Sequence, residues 1–174
     1  MKIQTLFVLL MVGATFAMFC PQASSQIVPY KAFGQGFYEP SDGDYGGSGN
    51  ATHLGKHLFT GNVMVSEEPV DPENPLLFSF EITAEDPQVT VAADGSELCF
   101  SGNGLVQLIP LNETFTEFGA IWFGEFHVEG GTGRFAHAGP GPEPLSVTAI
   151  NDPFTFLDPV WTFDWTLKGK ISLK

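Results

Sequence analysis

The chain has 174 residues, and few of its side chains stand at spacings that do chemistry. Glu125 and His127 lie two apart in the run Ile121-Trp122-Phe123-Gly124-Glu125-Phe126-His127-Val128. On an extended strand they share a face, so a carboxylate and an imidazole could act there as catalytic acid and base on one bound molecule. The same pattern also describes the wet side of a half-buried strand, with Trp122 and Phe126 as its buried partners. His53 and His57 have the spacing of metal ligands on a helix, but residues 50–57 read as a loop entering a strand, which separates them. Asp42 and Asp44 precede Gly46, Gly47, Ser48 and Asn50 in outline like a calcium loop, yet His53 stands where the bidentate Glu belongs. No metal site and no cofactor are expected from these residues.

Arg134 is the only arginine, set in Gly130-Gly131-Thr132-Gly133-Arg134-Phe135. The turn lacks the Lys-Ser/Thr of a phosphate loop, so its guanidinium is expected to satisfy nearby carbonyls or a carboxylate. No Gly-x-Ser-x-Gly element supports a serine nucleophile. Acids outnumber bases 20 to 7, giving a formal charge of −13, and a surface of that sign repels phosphate backbones. Nucleic acid is therefore excluded as a partner.

The positioning elements begin after a targeting segment. Lys2 precedes an apolar run over residues 3–19, followed by small residues, the layout of a secretory signal peptide cleaved after Ser25. Residues 1–25 are thus expected to leave, and residues 26–174 to form one domain with no stable membrane span, secreted or periplasmic. Cleavage there removes Cys20 and leaves Cys99 without an intramolecular disulfide partner.

Within residues 26–174 the hydrophobic pattern has period two almost throughout. Trp161, Phe163, Trp165, Leu167, Gly169, Ile171 and Leu173 fall on one face of a terminal strand, with Thr162, Asp164, Thr166, Lys168 and Lys170 on the other. Further strands are expected over residues 32–37, 58–65, 76–83, 89–93, 97–100, 105–111, 120–128 and 145–150. Asp94-Gly95 supplies a hairpin turn. The glycine and proline clusters at residues 41–50, 69–75, 130–133 and 139–144 read as loops. About eight strands without a helical pattern argue an all-β antiparallel sandwich or barrel.

Two motifs sharpen this. Gly49-Asn50-Ala51-Thr52-His53-Leu54-Gly55-Lys56 and Gly130-Gly131-Thr132-Gly133-Arg134-Phe135-Ala136-His137-Ala138-Gly139, together with the closing Lys168-Gly169-Lys170-Ile171-Ser172, resemble turns of secreted bacterial proteins similar to the allene oxide cyclase and dirigent barrels of plants. The resemblance implies a single antiparallel eight-stranded β-barrel (calycin-like), an apolar interior and frequent assembly as a homo-oligomer. It matches turn motifs only, so it carries over no catalytic residue. In such a barrel Trp122, Phe126, Trp161, Phe163 and Trp165 would line the lumen. Three functions then stand open. The first is binding of a small hydrophobic or aromatic molecule. The second is a packed structural or surface-interaction barrel, with Ile121 and Phe123 marking its outer interface. The third is a cofactor-free cyclase or isomerase using Glu125 or His127.

Overall fold

The computed structural model describes residues 26–173; the expected leader, residues 1–25, and its cleavage point lie outside the described residues. The strands are β1 (Gln26–Tyr38), β2 (Asp44–Ala51), β3 (Gly55–Asn62), β4 (Met64–Val65), β5 (Leu77–Ile82), β6 (Gln88–Ala92), β7 (Glu97–Pro110), β8 (Phe118–Gly131), β9 (Gly139–Pro140), β10 (Leu145–Asn151) and β11 (Trp161–Leu173). Among the described residues the one helical element is a short 3-10 turn at Gly133–Phe135.

Neighbours in sequence pair antiparallel, and β11 returns to β1 along its whole length, from Gln26 opposite Leu173 to Tyr38 opposite Trp161. Strands β3 and β4 form one interrupted stave, β5 and β6 a second along one edge of β7, and β9 and β10 a third along β11. With those breaks counted as single staves, the ring closes as an eight-stranded up-and-down barrel. Closure takes up the backbone donors and acceptors that a sandwich would leave on its edge strands.

Alternation decides which side chains enter. On β11, Trp161, Leu167 and Ile171 are buried, while Thr162, Asp164, Thr166 and Lys168 face water. Even-numbered residues of β8 turn inward, with Phe118, Ala120, Phe126 and Val128 buried.

Strand extends into parts of the expected loops at 130–133 and 139–144, β1 begins earlier than residue 32, and the run 58–65 is broken between β3 and β4, but two departures bear on the site. Residues 41–50 were expected to be loop, but Asp44–Ala51 is a full strand paired to β1 and β3. Its glycines provide clearance for aromatic rings. A Cβ at Gly49 would lie 2.7 Å from Trp165 Cζ2, and one at Gly36, opposite Gly47, would lie 2.5 Å from Phe163 Cζ. Bulky rings fit inside this barrel because the strands beside them carry no side chain. Residues 97–111 were expected as two short strands, but β7 runs unbroken through Gly102-Asn103-Gly104, where the hydropathic alternation lapses while the ladder to β8 continues.

The end of the barrel that holds the β8–β9 connection is closed. Tyr30, Leu98, Phe100, Leu145 and Ile171 are completely buried there, and Phe135 packs with them. Gly133 has φ +57°, a left-handed conformation that glycine adopts without strain, and the turn it makes sends Phe135 inward while Arg134 stays at the surface. Arg134 donates from Nη2 to the Leu54 carbonyl at 3.1 Å and pairs from Nη1 with Asp94 at 3.4 Å. Its backbone N–H reaches Ser96 Oγ at 3.3 Å. The lone arginine thus ties three connections across the closed end.

Candidate functional site

Above that plug the lumen is not filled. A cavity of about 80 Å³ occupies the half of the barrel nearer the Tyr38 end. Phe126, Val147 and Leu167 form its base, and Phe126 rests on the plug through Phe100, with ring centroids 6.4 Å apart. One wall is Phe59 from β3 against Trp165 from β11, edge to face at 5.2 Å. Glycines at positions 47 and 49 leave room behind both rings.

Over the cavity runs a chain of ring contacts. Phe80 meets Trp122 at 5.5 Å, Trp122 meets Tyr38 at 5.5 Å, and Tyr38 meets Trp161 at 5.5 Å. Trp161 in turn stacks on Phe154, with centroids 3.9 Å apart and planes 21° from parallel. Phe154 is anchored by two 2.8 Å backbone hydrogen bonds exchanged with Phe118. The Trp122 plane is fixed by its indole N–H, which donates to Asn151 Oδ1 at 2.7 Å, while Asn151 Nδ2 donates to the Thr162 carbonyl. Edge-to-face and stacked rings of this kind each add about 0.5–1.5 kcal/mol beyond the area they bury.

The polar groups of the wall are few and neutral. Tyr45 donates its O–H to Gln88 Oε1 at 3.0 Å, and Gln88 Nε2 donates to Thr90 Oγ1 at 3.1 Å, all three side chains being buried. Burial, reinforced by the negative charge of Asp86, pushes the Tyr45 phenol well above its usual range. Burial and then Asp42 raise Tyr38 in the same way. His57 sits behind Trp165, ring centroids 5.9 Å apart, and its Nδ1 lies 3.1 Å from the Gly55 carbonyl. Burial lowers its pKa despite that carbonyl, so the neutral ring donates from Nδ1. Among the described residues, no ionised side chain borders the cavity.

Of the residues expected to line the lumen, Trp122, Phe126, Phe163 and Trp165 do so. Trp161 shares their face but lies behind the roof, held between Tyr38 and Phe154. Glu125 and His127 lie on the outer face of β8, between Asn103 and Ser146 and beside Ser101 respectively. The barrel wall separates them from the cavity, so they cannot act on a molecule inside it. His127 instead borders an outer cleft of about 220 Å³ with Glu143 and Lys170. Phe123 is exposed on the same outer face, and Ile121 pairs there with exposed Ile150. His53 turns away from His57, in a turn with φ 70° and Nε2 3.1 Å from the Pro29 carbonyl. Asp42 and Asp44 belong to a hydrogen-bonded turn in which Asp42 accepts the Asp44 N–H and Asn62 donates to Asp44.

The lining also contains residues not singled out from sequence, chiefly Tyr38, Tyr45, Phe59, Phe80 and Gln88. Phe59 and Phe80 sit in segments expected as strands, residues 58–65 and 76–83, whose inward faces were not assigned from sequence. Tyr45 was hidden among glycines, and Gln88 carries no hydropathic sign of facing a lumen. Compared with protein-family models, with curated proteins and with solved structures, the chain matches none.

Proposed function

We propose that the protein is an exported carrier that binds one small apolar or aromatic molecule in the open half of its barrel and does not transform it. The observation that carries this is the contrast within one lumen. One half is packed solid and tied by Arg134, while the other keeps a void walled by aromatic rings and neutral polar groups. Such rings in an otherwise well-packed interior suit a ligand of matching character. An apolar cavity of about 150 Å³ is enough for benzene, so in this smaller void a single-ring ligand enters with a shift of half-buried Phe163 or Trp122. The cyclase alternative loses its candidate groups, since Glu125 and His127 stand outside the wall. The resemblance to the allene oxide cyclase and dirigent barrels, carried by Gly130–Gly139 in the turn at the plug, is compatible with a lumenal ligand but assigns none.

Native mass spectrometry of the mature chain, purified from the exported fraction of its own host, tests this. The expected spectrum shows an adduct of one small neutral molecule lost on collisional activation. A bare chain would overturn the carrier reading if its tryptophan emission and thermal midpoint also stayed unchanged with single-ring aromatic compounds.

A further inference from the structure

The cavity also restricts what its occupant can be. Resting on the carrier reading above, we infer that the ligand is an uncharged ring compound bearing a hydrogen-bond-accepting oxygen, of the ketone, quinone or ether class, and that Trp165 and Gln88 supply the donors that recognise it.

Charge is excluded first. Among the described residues no lysine, arginine, histidine or carboxylate borders the void, and its two phenols are neutral, so a carboxylate or ammonium entering it would shed water without meeting a counter-charge. The net charge of −13 also discourages an anion from approaching.

Unmet donors point to the oxygen. The Trp165 indole N–H is buried and has no hydrogen-bond partner among the described residues, although the ring borders the cavity. An indole can only donate, and buried donors in native proteins are nearly always served. Gln88 adds to the excess. Its Oε1 already accepts from Tyr45 and one amide N–H goes to Thr90, which leaves the second N–H of an amide that borders the same void. The Trp161 indole N–H is likewise unpartnered, but that ring lies behind the roof and does not border the cavity. A hydrocarbon would leave the Trp165 indole unmet, whereas a carbonyl or ether oxygen supplies the acceptor that the indole lacks and can also take the second Gln88 N–H.

Three probes of nearly one shape separate these possibilities: acetophenone, α-methylstyrene and benzoate, titrated into the mature protein by calorimetry. Acetophenone is expected to bind about tenfold more tightly than the more hydrophobic α-methylstyrene, and benzoate not to bind at the same concentrations. Trp165→Phe and Gln88→Leu should each weaken acetophenone several-fold while leaving α-methylstyrene within about twofold. Should either variant fail to fold, the wild-type protein still answers through its ¹H–¹⁵N spectrum. The Trp165 indole cross-peak should move downfield with acetophenone and not with α-methylstyrene. If α-methylstyrene binds as tightly as acetophenone, or benzoate binds, the inference is overturned and the carrier reading survives. If none of the three binds, both fall together.

Discussion

His57 shows how strongly position governs a single side chain in this barrel. It is carried into the wall by the inward parity of β3 and is only 5% exposed. Its proton equilibrium therefore reports on folding. In the folded chain burial holds its pKa below the ordinary value, while the unfolded chain titrates near 6.5, about the value of a free imidazole. Below that pH the unfolded state takes up a proton that the folded state refuses. The stability present above pH ~6.5 therefore falls as the solution is acidified toward the lower folded pKa, with a slope of at most about 1.4 kcal/mol per pH unit for one proton. His57→Gln removes the titration, so its thermal midpoint should fall less steeply than the wild type's between pH 7.5 and 5. The Asp94 carboxyl, held low by the Ser96 backbone N–H, contributes only at more acid pH, because a depressed carboxylate loses its stabilisation as pH falls through the carboxylate range. Equal slopes for the two proteins across pH 7.5 to 5 would show that His57 is accessible to protons in the folded state.

Among the elements, β1 and β2 carry the least ordinary solution. Gly34 faces Gly49 and Gly36 faces Gly47, and the rings of β11 lie against that bare backbone. Gly36→Ala should therefore destabilise the barrel by about 1–3 kcal/mol through overpacking against Phe163. Gly139→Ala, where an added Cβ meets nothing within 4 Å, should be nearly silent. Denaturant unfolding of both variants checks the pair, and equal midpoints would remove the clearance argument. These same glycines set the limit of what could be read from the residues. Strand β11 was legible because Trp, Phe and Leu alternate with Thr, Asp and Lys, and β8 because of Trp122 and Phe126. Strand β2 was not, since glycine has no hydropathy to alternate, and its pairing is fixed by rings on a strand more than a hundred residues away. For the site, parity placed Trp122, Phe126, Phe163 and Trp165 inside correctly. It placed Trp161 on the right face, but the fold of residues 152–160, which brings Phe154 onto that ring, has no local signature. Parity also showed Glu125 and His127 opposite Trp122, and the closed wall turns that opposition into separation from the cavity.

At the scale of the whole molecule the barrel is asymmetric, plugged and clasped at one end and roofed over a void at the other. If that void is the binding site, filling it should exchange ligand affinity for stability. Ala149 borders the cavity and stands between Trp122 and Trp165 in the ladder, so a larger side chain there enters the space directly. Cavity energetics of ~24 cal/mol per Å³ put the full gain from closing about 80 Å³ near 2 kcal/mol, an upper bound since a new side chain rarely fits without some strain. Ala149→Leu is therefore expected to unfold at the same denaturant midpoint as the wild type or a higher one, and to bind a single-ring aromatic at least about tenfold more weakly. The two readings must be taken on the same preparation, because a misfolded variant would also fail to bind. Stability kept with affinity lost places the ligand in the lumen. Affinity kept would move the ligand elsewhere, toward the outer cleft beside His127 and Lys170 or the exposed face of Phe123 and Ile150, and would leave the void as a packing defect that the rings of β11 tolerate.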